Sequence, residues 1–206
     1  MKLVRAIFFL IFLFCFIIAE EEIQDLYKFI QTELIMAQKG DVIVLPAGKY
    51  IISRSLWGDN LSNVRIEGKG IDKTVLNFES QIEGAEGIKI INSNNIVLKD
   101  FTIQNSKGDL IKVEDSKNIS FINIKAEWTG PPEETNGAYA LYPVKSENIL
   151  IDGCVAIGAS DAGIYVGQSK NIIVRNSEAY NNVAGIEIEN STKADVYNNY
   201  VHDNTG

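Results

Sequence analysis

Two sets of short segments advance along this chain by the same intervals. An asparagine followed by an apolar alternation recurs as Asn95-Ile-Val-Leu, Asn118-Ile-Ser-Phe, Asn148-Ile-Leu-Ile, Asn171-Ile-Ile-Val and, in degenerate form, Lys193-Ala-Asp-Val. A three-residue segment with an apolar residue at each end recurs as Ile88-Lys-Ile, Ile111-Lys-Val, Leu141-Tyr-Pro, Ile164-Tyr-Val and Ile186-Glu-Ile. Both sets step by 23, 30, 23 and 22 residues. A shared period of this size marks a chain that coils on itself, each turn burying its apolar face only against its neighbours. Eight residues after each first-set position stand Ile103, Ala126, Ala156, Ala179 and Val201, which supply a third inward position per turn. Three short strands in a turn of roughly 22 residues predict an all-β parallel β-helix over residues 41–206.

What precedes the repeats has a different character. Lys2 and Arg5 lead into an uncharged apolar run from Ala6 to Ala19, which reads as a signal peptide over residues 1–19. That run is too short to cross a bilayer comfortably, since a spanning helix needs about twenty apolar residues. The expected location is therefore periplasmic or secreted, with membrane contact only through an uncleaved leader. Residues 20–40 read as a capping helix, with Ile23, Leu26, Tyr27, Ile30 and Leu34 at helical spacing and Gly40 able to end it. Such a helix covers the unpaired edge of the first turn.

Charge narrows the partners. The chain carries 19 Lys and Arg against 27 Asp and Glu, and loss of Lys2 and Arg5 with the leader leaves 17 against 27, a net charge of −10. A nucleic-acid binder needs a basic footprint, so nucleic acid is excluded as an expected partner. Cys154 is the only cysteine after the leader, so no intrachain disulfide forms. It aligns with inward positions and reads as an inert core thiol. A monomer is expected.

The runs Gly40 to Tyr50 and Ile66 to Leu76, together with the repeats, resemble the right-handed parallel β-helix proteins of the pectate-lyase-like superfamily. More narrowly, the stretches around Trp128, Tyr142, Tyr165 and Ile186 resemble a secreted bacterial β-helix family of unassigned biochemical role. The resemblance implies a right-handed solenoid. Relatives of this kind continue past the point aligned with Gly206, so a C-terminally truncated chain with an exposed last turn is expected. The motifs that define the active sites of pectate lyases, polygalacturonases and alginate epimerases are not recognisable here.

Within the repeats, Asn95, Asn118, Asn148 and Asn171 occupy one corner of successive turns, where stacked amides satisfy each other and the backbone. The middle residue of each second-set strand must point outward, because its neighbours point in. Read up the stack, that column is Lys89, Lys112, Tyr142, Tyr165 and Glu187. Beside it falls the long 30-residue step, an insertion between Ala126 and Ala140 that contains Glu127 and Trp128 and is expected to form the wall of a lateral groove. Aromatic faces bind sugar rings and a lysine pairs with a sugar carboxylate, so Trp128, Glu127, Tyr142 and Tyr165 are the candidate carbohydrate-binding residues.

Lys112, Tyr142, Tyr165 and Glu187 are the candidate catalytic residues, supplying the cation, acid and base that uronide β-elimination or C5 epimerisation requires. Hydrolysis would instead call on a carboxylate pair such as Glu127 and Glu187. Asp109 and Asp161 stand at turns before the second-set strands and are candidate ligands for calcium, the one cofactor the sequence suggests. The expected function is binding of an acidic polysaccharide. A uronide lyase or epimerase, and a non-catalytic envelope solenoid, remain as alternatives.

Overall fold

The computed structural model describes residues 26–206, so the expected leader and the first residues of the expected capping helix lie outside the described residues. One helix, α1 (Leu26–Met36), buries Leu26, Ile30 and Leu34 against the first turn of a three-faced parallel solenoid. The helical spacing read from the sequence is thus the face that docks.

Face A is a six-stranded parallel sheet: β3 (Arg54–Asp59), β6 (Glu83–Ile91), β8 (Ile111–Glu114), β10 (Tyr139–Val144), β13 (Ala162–Gly167) and β16 (Ala184–Glu189). Face B holds β1 (Val42–Val44), β4 (Ser62–Glu67), the first halves of β7 (Asn94–Gln104) and β9 (Lys117–Glu127), β11 (Glu147–Asp152), β14 (Lys170–Arg175) and β17 (Thr192–Tyr197). Face C holds β2 (Gly48–Ile51), β5 (Thr74–Asn77), the second halves of β7 and β9, β12 (Val155–Ile157), β15 (Glu178–Tyr180) and β18 (Tyr200–His202). Every pairing is parallel and joins one turn to the next, as the common intervals require.

Alternation builds the core. On face B, Leu98, Phe121 and Ile151 pair in register and are fully buried. On face C, Ile103, Ala126, Ala156 and Ala179 form the expected inward column, and Val201 continues it on the last described turn, where it is exposed. Cys154 is buried beside them and burial pushes its thiol up to about 12, consistent with an inert role.

The corners explain the polar spacing. Between faces B and C the chain bends at a single left-handed residue, Asp100, Asn123, Gly153, Asn176 or Asn198, types that tolerate positive φ. At the A–B corner Asn148 donates to Asn118 and Asn171 donates to Asn148, each at 2.9 Å. Asn118 itself donates to Asn94 rather than Asn95, so the expected amide ladder slips by one residue there.

Behind that ladder runs a column the repeats contain but the asparagines conceal. Ser93, Ser116, Ser146, Ser169 and Ser191 recur one per turn. The backbone N–H of Ser116 donates to Ser146 Oγ at 3.1 Å, and Ser146 Oγ–H donates to the Val144 carbonyl at 2.8 Å. The same pair of bonds repeats at Ser93, Ser116 and Ser169. Each buried hydroxyl is saturated, and among the described residues no buried side-chain nitrogen or oxygen lacks a partner.

Candidate functional site

The outward column of face A is six residues long. Trp57 pairs with Lys89, Lys89 with Lys112 and Lys112 with Tyr142; one turn on, Tyr165 pairs with Glu187. Tyr142 and Tyr165 lie on consecutive turns with ring centroids 5.3 Å apart and an edge-to-face angle of 77°. Five steps of about 4.8 Å make the stripe roughly 24 Å long. The expected order of cations, aromatics and carboxylate is present, with Trp57 added at its lower end.

A third tyrosine, absent from the expected column, completes the cluster. Tyr139 opens β10 where the insertion returns to face A. Its ring stacks on Tyr165 at 4.3 Å and tilts against Tyr142 at 4.6 Å. Its hydroxyl donates to Asp161 Oδ2 and its backbone N–H to Asp109 Oδ1, both at 3.2 Å. The two aspartates therefore help to position Tyr139. Among the described residues no group of three or more His, Cys, Asp or Glu side chains could hold a metal ion.

Proton affinities in the cluster run upward. Burial raises Asp109 to about 6, with the Tyr139 N–H and Lys112 pulling the other way. Burial, then the Asp161 charge, holds the Tyr139 hydroxyl well above the ordinary phenol range. The hydrogen bond to Glu189, then burial, does the same to Tyr165, and burial raises Tyr142. The tyrosines can donate a proton or a hydrogen bond but cannot serve as phenolate bases near neutrality. Lys112 Nζ lies 4.8 Å from the centroid of the Tyr142 ring and 3.9 Å from Glu114. Lys145 pairs with Glu114 at 2.9 Å, which holds Glu114 below its usual range despite some burial.

Two expected groove residues lie elsewhere. Trp128 is only 5% exposed, and its Nε1–H donates to the Ser106 carbonyl at 3.0 Å. It offers no face to a sugar because it continues the inward alternation of Ile124 and Ala126 instead of rising with the loop. Glu127 points out from face C, where it pairs with Lys125 at 3.0 Å and accepts from Gln104 at 2.6 Å. It is neither on the tyrosine face nor positioned to work with Glu187. Glu187 does stand near Tyr139, helping to raise its pKa. Of the wall, then, what reaches the groove is Tyr139 at the loop's end.

The architecture matches the family model described as the right handed beta helix region over residues 58–206. The chain belongs to the right-handed β-helix family. No curated protein matches it by sequence. Among solved structures it is similar to ORF18 of Geobacillus virus E2, at 15% identity and a TM-score of 0.60, over 82% of this chain and 37% of that one. It is also similar to the catalytic domain of a GH87 alpha-1,3-glucanase in complex with tetrasaccharides, at 19% identity and a TM-score of 0.56, over 69% of this chain and 26% of that one. This β-helix chain therefore spans between about a quarter and two fifths of the length of those two relatives. At such identities the likeness establishes the fold.

Proposed function

We propose that this is an exported protein whose face A binds an acidic polysaccharide laid along its outward column. The observation that supports this reading is the cluster of Tyr139, Tyr142 and Tyr165, three rings in mutual contact beside a line of two lysines. Rigid aromatic rings supply apolar area for sugar faces at low entropic cost, with hydroxyls for the ring substituents. Lys112 and Lys89 would meet the carboxylates of a uronide. Around the tyrosines Glu86, Asp109, Glu114, Asp161 and Glu187 balance or exceed the nearby cations. Long-range electrostatics therefore do not steer a polyanion inward, and recognition rests on direct contact with the lysines and rings. The solved tetrasaccharide complex of a glucanase of the same fold is compatible with a sugar-binding solenoid.

The test is titration with oligogalacturonates, oligomannuronates and neutral glucans, using the wild type and Tyr165→Ala. Uronide binding that weakens with salt and is lost in Tyr165→Ala supports the reading. Binding of neutral glucans alone overturns the acidic part of it, and no glycan binding favours an interaction solenoid.

Catalysis is a second reading, favoured by Asp109 lying near neutrality within the electrostatic reach of Lys112. In β-elimination Lys112 would neutralise the uronide carboxylate, a carboxylate such as Asp109 or Glu187 would take the C5 proton, and Tyr142 would protonate the leaving oxygen. Rising ultraviolet absorbance from the new carbon–carbon double bond tests it.

A further inference from the structure

At the lower end of the column a pocket of about 560 Å³ opens between α1 and face A, lined by Tyr27, Gln31, Arg54, Trp57, Glu86 and Lys89 among others. Trp57 is 54% exposed, whereas the chain's other tryptophan, Trp128, is buried. An outward indole of this size on a solenoid face is costly to leave in water. Its backbone is held firmly: Trp57 N–H donates to Gln31 Oε1 and Gln31 Nε2 donates to the Trp57 carbonyl, both at 2.9 Å. β3 is the first strand of face A, so these groups face no further strand. The Gln31 side-chain amide stands in for one, fixing the helix while the indole stays free.

The cations beside the indole are loosely engaged. Arg54 lies 3.3 Å from Glu83 and Lys89 lies 3.4 Å from Glu86, with both cationic side chains still partly exposed. Exposed pairs of this kind contribute little and exchange partners readily. Lys89 belongs both to the pocket and to the column that leads to Lys112 and Tyr142.

We propose that this pocket is a second subsite of the groove, taking a sugar ring of the same acidic chain on the Trp57 indole with the ring's carboxylate at Arg54 and Lys89. The proposal rests on the polysaccharide reading of face A and adds a length requirement to it. Trp57 and Tyr142 are three turns apart, about 14 Å at 4.8 Å per turn, so only an oligomer long enough to bridge that gap engages both. Linking two weak contacts in one ligand raises affinity well above either alone.

The experiment compares uronide dimers and hexamers by calorimetry on the wild type, Trp57→Ala, Trp57→Phe and Tyr142→Ala, with circular dichroism to confirm folding. Trp57→Ala should weaken the hexamer roughly tenfold and the dimer less than twofold, while Trp57→Phe retains most of the affinity. Tyr142→Ala should weaken both ligands. Because Trp128 is buried, the solvent-exposed tryptophan emission reports Trp57, and it should shift to the blue with hexamer. Hexamer affinity within twofold of wild type in Trp57→Ala overturns the subsite and leaves the groove intact. No uronide binding by the wild type overturns the groove itself, and the subsite with it.

Discussion

The A–B corner and the outward column of face A are built on the same period and behave oppositely. At the corner every turn repeats one residue type: serine at 93, 116, 146, 169 and 191, asparagine at 95, 118, 148 and 171. Each asparagine bonds to an adjacent turn, and each serine hydroxyl accepts an N–H from a neighbouring turn while donating to a carbonyl of its own. On face A the column reads Trp57, Lys89, Lys112, Tyr142, Tyr165 and Glu187, no more than two alike in succession. In a solenoid, identity from turn to turn marks a residue that holds the stack. Change from turn to turn marks a residue free to face something else.

That contrast can be broken, with the largest effect expected at Asp109. Its pKa is raised from an ordinary 3.8 to about 6, so the folded state holds the proton more tightly than the unfolded chain. The stabilising contribution is fully present below about pH 3.8 and is lost as pH rises through 6, leaving a charge whose burial costs on the order of 3 kcal/mol. Asp109→Asn keeps an acceptor for the Tyr139 N–H and cannot ionise. It should therefore raise unfolding free energy over wild type at pH 7.5 and be neutral at pH 4, measured by urea denaturation. A flat difference between the two pH values would show that the carboxylate is not strained.

Ser146→Ala should act at the corner in the opposite sense. It orphans the buried Ser116 N–H and leaves the Val144 carbonyl with only the Asp115 N–H, a loss of about 2 kcal/mol at any pH with uronide affinity of the folded protein unchanged. Tyr142→Ala should do the reverse, lowering uronide affinity by about tenfold, or roughly 1.4 kcal/mol, with little change in the denaturation midpoint. A corner substitution that abolished binding, or a column substitution that unfolded the protein, would erase the distinction. The smallest effect sharpens it: Asn148 has φ of 57°, so Asn148→Ala should cost about 1 kcal/mol and Asn148→Gly only a few tenths in the same assay.

Much of this was legible before any coordinates. The turn length, the parallel stacking and the juxtaposition of Tyr142 with Tyr165 follow from the two matched interval sets. Two residues of the site were not, and a third residue falls outside it. Trp57 lies in the first turns, where the step from Asn63 to Asn95 is 32 residues and the repeat is too irregular to align. Tyr139 sits at the seam between insertion and strand, outside both registers. Trp128 was assigned to the wall because the insertion was taken to begin after Ala126. The alternation of Ile124, Ala126 and Trp128, all buried, carries the inward signal that would have placed it correctly.

The sequence by itself determined how this chain stacks, because the period of its apolar residues fixes which positions face inward on every turn and survives changes at the outward positions between them. Only the tertiary structure decided which side chains meet. Tyr139 reaches Asp161 in the following turn, Gln31 on the helix reaches Trp57 on a strand 26 residues away, and Trp128 turns inward to Ser106. Such contacts depend on where an insertion re-enters the stack and on which polar groups find partners there, and no local period encodes either.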